Sequence, residues 1–518
     1  NDLRCAFEQC LDSSACTGYH PEETLNGEEG CNTTKGFTNN CVDQYGNPSR
    51  CRLCATCGVD VQHINTAGTG NATHGCLDEN KNPSICRYKR KRNRVTCEEC
   101  PPVLQNRLFL AGGLVVMLFG GAAMVYLEIK TEWVNGKRED VTSDAIKKIM
   151  LNFLQMVSLA VGLPLEWPKS CQAMFDFFAT MGSAGTPMMV PDCELTSMHA
   201  ADAFYAKQIG ITLLVPIVIC LCIFIWSCIR WCGCAKRFQM EEQVKDYNVL
   251  TVVLFLFLVW PTLVKFTLST MKCTEVGTGT LYLIADLQEQ CFVGRHLRYL
   301  LLLTLPQLFV YVLGLPLCAT LLIIRNNDRL KDRTFITRYG LLYMGFRENR
   351  EWWEVVIALR KFLIVAISTF GTMMGVVYLP GFVALVVVFL SVVVHLIGRP
   401  FDTTETKTRL LHDLEFAALT VCWFTFWGGL LFYLGHENSG SISEEVVTAT
   451  TVLLVSINVL FVLSSIFIYF REFKLEKKVA KRRLTEVLPV LKDTNLPEQR
   501  YAGYSEEGNE ESALKNWE

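Results

Sequence analysis

Five charged residues lie inside or beside long apolar segments, where a charge is costly and usually serves a function. Arg360 and Lys361 follow the tryptophans of EWWEVVIALRK, about two helical turns into an apolar run. Glu354 precedes Lys361 by one heptad and therefore lies on the same helix face. Asp413 and Glu415 stand where a later apolar run begins. If both runs enter a membrane from the same side, these five residues form one cluster of opposite charges.

Three roles of this charge cluster are compatible with the sequence. Paired charges would form a structural belt that locks the two helices together, and this is the use we expect. Alternatively, the cluster would line an ion path or gate at the inner mouth of a pore. Thirdly, the cations could reach the interface without partners, because Arg360 lies only roughly 10 Å along its helix from Trp353.

The sequence carries no recognisable catalytic or nucleotide-binding motif. It has no phosphate-binding glycine loop, no H-E-x-x-H and no G-x-S-x-G, and its eight histidines are scattered. Its basic stretches flank apolar runs or lie among cysteines, which does not fit a nucleic-acid-binding module. We therefore predict a protein that is not an enzyme, has no cofactor and no structural metal, and does not bind nucleic acid.

The first hundred residues are rich in cysteine and poor in apolar sequence. Twelve of the 23 cysteines lie before residue 101. An even number at this density predicts a disulfide-stapled module in an oxidising compartment, because so polar a segment cannot bury a core of its own. The C-x-x-C-x-x-C at 51–57 leaves zinc as an alternative. The predicted disulfide cysteines are Cys5, Cys10, Cys16, Cys31, Cys41, Cys51, Cys54, Cys57, Cys76, Cys86, Cys97 and Cys100.

This module, residues 1–105, is predicted to be extracellular. The sequons at Asn32 and Asn71 favour N-linked glycans and the secretory pathway. The basic stretch RYKRKRNR at 87–94 suits contact with an acidic glycan or protein, a solvated loop, or cleavage by a basic-site protease. We expect an extracellular protein or glycan partner to bind here.

Residues 106–470 predict an α-helical polytopic membrane domain, followed by a tail at 471–518 that is first basic and then acidic. With 50% hydrophobic and only 19% charged residues, the chain contains many apolar runs of about 20 residues, long enough to cross a bilayer. The predicted spans are 107–128, 149–166, 207–229, 249–271, 296–324, 353–374, 376–396, 411–435 and 446–470.

The segment 149–166 is the weakest of the nine predicted spans. It is short and carries Asn152 and Gln155, so its alternative is an amphipathic helix lying on the membrane surface. Counting it places the N-terminus outside and the basic tail in the cytoplasm, as the positive-inside rule requires. Omitting it would invert every later span, so we predict nine spans.

This topology assigns each remaining cysteine and loop charge to one side of the membrane. The cysteines at the end of the span 207–229 and just after it lie at the inner interface, where palmitoylation and an ordinary helix end explain them equally well. Asp286 and Glu289 are expected to be solvated loop charges, with weak divalent-ion binding as the alternative. The inner segment 328–349 alternates bases with aromatics, which favours contact with anionic lipid. The predicted outer disulfide cysteines are Cys171, Cys193, Cys273 and Cys291. The palmitoylation candidates are Cys228, Cys232 and Cys234.

Several stretches resemble one group of proteins. The module contains CLDSSACTGY, CNTTKGFTNNC and a final CEECP, and the membrane part contains IKKIMLNFLQMVSLAVGLPLEWP, YLIADLQEQC, GLPLCATLL and RYGLLYMGFRENREWWEVVIALRK. These resemble large surface proteins of protists and algae, which join EGF-like or ephrin-receptor-like cysteine-rich units to a transient-receptor-potential-like (TRP-like) membrane domain. The resemblance implies a multi-pass protein of the plasma or ciliary membrane that acts as a cation channel or sensor.

One feature departs from a TRP-like channel. GHENSGSISEE at 435–445 is too short for a pore helix and filter between the last two spans. Two functions therefore remain: a channel-like or sensing component coupled to the outer module, or a structural anchor that holds an extracellular polymer, coat or appendage. A homo-oligomer or a hetero-complex fits either. Because the sequence starts at Asn1 rather than methionine, we expect a longer precursor.

Overall fold

The computed structural model describes most of the helical part of the chain and short pieces of the cysteine-rich module. The described residues are 40–42, 48–50, 88–90, 97–101, 103–129, 133–134, 137–138, 141–163, 165, 167–182, 193–195, 198–232, 243–276, 279–371, 378–404, 406–437 and 443–493. Predicted disulfide, glycan and palmitoylation residues that lie outside them are Cys5, Cys10, Cys16, Cys31, Cys51, Cys54, Cys57, Cys76, Cys86, Asn32, Asn71 and Cys234.

The described part of the module consists of two antiparallel hairpins. Strands β1 (Asn40–Val42) and β2 (Pro48–Arg50) pair with each other, as do β3 (Tyr88–Arg90) and β4 (Cys97–Glu99). The second hairpin ends just before the first long helix. The basic stretch at 87–94 therefore contributes one strand, whose Lys89 lies opposite Glu98.

The remainder is mostly helical, because its apolar runs are long and contain few helix-breaking residues. The helices are α1 (Val103–Ile129), α2 (Val141–Leu159), α3 (Lys169–Gly182), α4 (Ala200–Trp231), α5 (Val244–Ser269), α6 (Gly294–Arg325), α7 (Arg333–Tyr343), α8 (Glu354–Phe370), α9 (Leu379–Gly398), α10 (Thr406–Glu437) and α11 (Glu444–Asp493). The short strands are β5 (Trp133–Val134), β6 (Lys137–Arg138), β7 (Cys273–Glu275), β8 (Leu281–Leu283) and β9 (Asp286–Gln290).

Each of the nine apolar runs predicted from the sequence overlaps one of these helices, although α2 begins eight residues before its predicted span and ends at Leu159. Seven helices within the described residues are long and apolar enough to cross a membrane: α2, α4, α5, α6, α9, α10 and α11. Helix α8 has 17 residues and a 3₁₀ turn (Glu351–Trp353) directly before it. Such helices indicate membrane insertion. The number of spans stays a prediction.

Helix α2 lies at the centre of the helical domain. It packs against α3, α8, α10 and α11. In its most apolar stretch 67% of the residues are buried, against 17% to 50% in the other six candidate spans. Asn152 and Gln155, which make α2 look like a weak span in the sequence, are both buried. Its polar residues Asn152 and Gln155 therefore face neighbouring helices.

The two ends of the helical domain differ. The end that carries the three-stranded sheet β7–β8–β9 is called the outer end, and the end that carries α7 is called the inner end. Helix α5 runs from α7 to β7 and therefore joins them. Helix α6 is irregular, with π-helical turns at Leu300–Thr304 and Leu308–Gly314 on either side of Gln307.

One predicted disulfide cysteine has a different role. Cys171 lies on the inward face of the amphipathic helix α3 and is fully buried in the core that α2, α10 and α11 share. Its thiol is free, in contrast to the disulfide expected from an outer position. The reason is that α3 turns this face towards apolar neighbours such as Trp167 and Phe175 rather than towards the other outer cysteines.

Candidate functional site

A belt of buried charges joins three helices near the inner half of the domain. Arg360 on α8 and Glu415 on α10 form an ion pair, with 2.6 Å between Nη2 and Oε1. Their side chains are 9% and 4% exposed, so both charges are removed from solvent. A buried ion pair is costly to break because the remaining charge has no solvent to compensate it. This pair fixes α8 against α10.

Lys361 joins α8 to α2. Its ammonium donates hydrogen bonds to Asn152 Oδ1 and to Gln155 Oε1, each at 2.6 Å. It also lies 5.1 Å from the ring centre of Phe257 on α5. Gln155 is held in turn by a hydrogen bond from its Nε2 to the carbonyl of Gly182. Neutral amides on a neighbouring helix therefore solvate this cation in place of water.

A third pair closes the belt at the inner end. Lys148 on α2 lies 3.6 Å from Glu354 on α8 and donates a hydrogen bond to the carbonyl of Met344. Its ammonium also lies over the ring of Phe346, 3.9 Å from the centroid. Lys148 is not among the five charged residues that the sequence predicts for this cluster. Its spacing from Asn152 and Gln155, at i, i+4 and i+7 on one helix face, is the signal that could have placed it here.

Four of the five predicted cluster residues thus lie in the belt, and one does not. Asp413 is exposed, because it is two residues before Glu415 and so on the opposite side of α10. A histidine pair that the sequence analysis missed lies beside the belt. His395 and His412 stack at 4.5 Å, and a ring nitrogen of His395 contacts the carbonyl of His412.

The other end of the domain contains a clamp between the cysteine-rich module and the helices. Cys100, just after β4, forms a disulfide with Cys193, shortly before α4. Next to it, Glu194 accepts a hydrogen bond from Asn106 Nδ2 at 3.1 Å and lies 3.5 Å from Arg107. The connection at the start of α1 is therefore tied both covalently and by polar contacts to the start of α4.

The sheet at the outer end buries two carboxylates that the sequence analysis expected to be solvated. Glu289 is 1% exposed and forms an ion pair of 2.6 Å with Arg295, which also reaches Asp202 on α4 at 2.7 Å. Asp286 accepts hydrogen bonds from the backbone of Ala201 and of Gln288. Burial nevertheless raises the pKa of Asp286 above its usual value.

A second disulfide, Cys273–Cys291, closes this sheet. The residues it encloses include both buried carboxylates, so it fixes the loop on which they stand. The weak divalent-ion site suggested for Asp286 and Glu289 stays a prediction, although Arg295 already balances Glu289. At the inner end of α4, Cys228 is half-buried and Cys232 is exposed, and their palmitoylation also stays a prediction.

Between these two ends, polar side chains join α4, α5 and α6. Gln307, between the two π-helical turns, donates to Thr212 on α4 and accepts from Thr267 on α5. Thr304, one turn earlier, donates to Thr270 at 2.9 Å. These contacts extend the polar interior from the outer end towards the middle of the domain.

Comparison with known proteins identifies a cysteine-rich relative. Cysteine repeat modular protein A of Toxoplasma gondii is 22% identical over 447 residues, which is 72% of this chain and 14% of that protein. The chain thus spans a small part of its relative's length. No family model and no solved structure matches. The relative is consistent with a cysteine-rich surface protein, whereas none of these comparisons supports the TRP-like resemblance.

Proposed function

We propose that this protein is a membrane-anchored surface component that transmits load or ligand binding from its cysteine-rich module to its helices. The observation that carries this proposal is the Cys100–Cys193 disulfide. A module joined to the membrane domain by one flexible strand would move independently of it. A second covalent link just before α4 removes that freedom, so a displacement of the module reaches two helices at once.

From the clamp, the proposed path continues through the outer carboxylates. Asp202 on the first turn of α4 pairs with Arg295 on α6, and Arg295 pairs with Glu289 on β9. Movement of α4 therefore displaces α6 and the disulfide-closed sheet together. The path favours a sensing or anchoring role, because rigid connections of this kind convey force without needing an open pore.

The belt would provide the resistance that an anchor needs. It joins α2, α8 and α10 through Lys361, Arg360 and Glu415, deep in the helical domain. Pulling α2 or α10 away would expose at least one unpaired charge to lipid, which is strongly unfavourable. We propose that the belt keeps the helices assembled under load, with the module outside, the tail in the cytoplasm, and a plasma or ciliary membrane as the location.

The test is the mass of the particle after gentle solubilisation from its native membrane. We expect one or two copies carrying an extracellular protein or glycan that is lost when residues 1–99 are removed. A closed ring of three to five copies with no extracellular partner would contradict the anchor and favour a central conduit.

A second candidate, cation conduction as in TRP-like proteins, is favoured by the polar contacts around Gln307. Two π-helical turns flank this residue, and such turns occur often at functional sites. The test is cation flux into vesicles containing the purified chain. Conduction predicts that Gln307→Leu lowers the flux at least tenfold, whereas Thr320→Val on the same helix does not. If vesicles with and without the protein show the same flux, this candidate is rejected.

A further inference from the structure

An apolar cavity of about 250 Å³ lies between α5, α6, α7 and α8. Phe257 and Trp260 form its wall on α5, Leu315 and Ala319 form it on α6, and Ala358 forms it on α8. Lys361 also lines the cavity, and its ammonium is hydrogen-bonded to Asn152 and Gln155 on α2. The interior of the cavity therefore suits a hydrocarbon rather than a polar ligand.

The residues that line the cavity extend along α8 and the turn before it from Trp352 to Lys361, which is about the reach of an acyl chain in one leaflet. The inner mouth of the cavity contains Tyr339 on α7 and Trp352 just before α8, and its deep end reaches Lys361. The rise from Trp352 to Lys361 is about 14 Å at 1.5 Å per residue, roughly half of a bilayer's ~30 Å hydrocarbon core. A chain entering at the inner mouth would thus extend to the middle of the membrane.

The charge around the mouth specifies the headgroup. Residues 325–350 contain seven basic and three acidic residues. Glu354, the carboxylate at the mouth, is balanced by Lys148 at 3.6 Å. Arg325 and Arg329, which follow the cavity-lining end of α6, are exposed and form no ion pair of 4.0 Å or less with any described residue. A phosphate with a net negative charge complements this pair of cations.

We propose that this cavity binds one acyl chain of an anionic phospholipid, whose phosphate contacts Arg325 and Arg329. The site lies away from the disulfide clamp and is independent of whether the protein anchors, senses or conducts. Its occupant would fill the gap between α5 and α8 and hold α7 against the membrane surface. A zwitterionic phospholipid has the same chains but a weaker attraction to the two arginines.

The test is photo-crosslinking of the full chain in vesicles. Phosphatidylglycerol and phosphatidylcholine, each with a diazirine on the acyl chain, are compared at equal concentration, and the labelled residues are identified by peptide mass spectrometry. We expect phosphatidylglycerol to label the cavity segments 253–260, 315–323 and 352–361 at least fivefold more than phosphatidylcholine does. Equal labelling by both lipids would refute the headgroup preference, and labelling confined to the exposed face of α9 would refute the cavity site.

Two pairs of variants sharpen this result. Ala319→Phe fills the cavity and should lower phosphatidylglycerol labelling of 352–361 at least fivefold. Leu317→Phe, two residues away and 56% exposed, adds the same ring outside the cavity and should leave labelling unchanged. Arg325→Gln with Arg329→Gln should reduce the preference for phosphatidylglycerol to near parity. If Ala319→Phe does not fold, the wild-type lipid comparison alone still decides the proposal.

Discussion

The belt near the inner end and the charged network at the outer end each pair a buried carboxylate with an arginine, but they are held in different ways. In the belt, Arg360 and Glu415 stand on two separate helices, and the packing of these helices brings them together. In the outer network, Glu289 stands on a short strand that the Cys273–Cys291 disulfide closes. The inner charges therefore depend on assembly of the bundle, whereas the outer charges depend on covalent closure of a loop.

This difference explains which region could be anticipated from sequence. A cation within an apolar run is conspicuous, since few structural settings tolerate it. A carboxylate in a polar loop is not conspicuous, because most such residues are solvated. Glu289 also accepts a hydrogen bond from Tyr205 on α4, 84 residues away in sequence, and no local pattern predicts that contact.

The largest loss of stability is expected when one partner of the Arg360–Glu415 ion pair is removed. Glu415→Leu leaves the Arg360 charge buried without its partner and should lower the free energy of unfolding by about 3–5 kcal/mol. Arg360→Met together with Glu415→Leu should recover most of this loss. Asp413→Asn is the matched control and should change stability by less than about 0.5 kcal/mol, because Asp413 is exposed. Denaturant unfolding in detergent measures all three, and equal losses for Glu415→Leu and Asp413→Asn would disprove the pairing.

Removing the Cys273–Cys291 disulfide should cause the next largest loss of stability. The double substitution Cys273→Ser with Cys291→Ser removes a disulfide with a sequence separation of 18 and should lower the free energy of unfolding by about 3 kcal/mol. Hydrogen exchange should become faster in β8 and β9 and stay unchanged in α8 and α10. Faster exchange in both regions would show that the outer network and the belt are not separate units.

A smaller loss of stability is expected where a neutral amide solvates a charge. Asn152→Leu removes one of the two amide acceptors of Lys361 and should lower the free energy of unfolding by about 1–3 kcal/mol. Met150→Leu, a conservative change at a half-buried position of α2, serves as the control. A loss as small as that of the control would mean that Asn152 is not needed to solvate the Lys361 ammonium.

The smallest effect is a pH dependence confined to the outer end. Burial raises the pKa of Asp286 in the folded protein above its unfolded value, so the folded state holds the proton more tightly. The contribution of Asp286 to stability is therefore largest at low pH and is lost as the pH rises through the folded pKa. Asp286→Asn should flatten the slope of melting temperature against pH just above pH 4. An unchanged slope would mean that another group controls it.

Most of the helical fold was predictable because hydrophobic runs are strong local signals. The central position of α2 was not, since the same Asn152 and Gln155 fit a surface helix until Lys361 is placed beside them. Cys171 was misplaced because topology gives a side of the membrane but not the face of a helix. The partner of Cys193 was likewise hidden, because disulfide connectivity depends on the three-dimensional path of the chain.

The central claim, that the cysteine-rich module and the helical domain are clamped, is tested most directly by pulling single molecules from a vesicle by their N-terminus. The disulfide locks a loop with a sequence separation of 93, about 320 Å of chain when extended at 3.3–3.6 Å per residue. We predict that this length is missing from the unfolding traces of the wild type and returns in Cys193→Ser. Traces of equal total length for the two proteins would contradict the clamp.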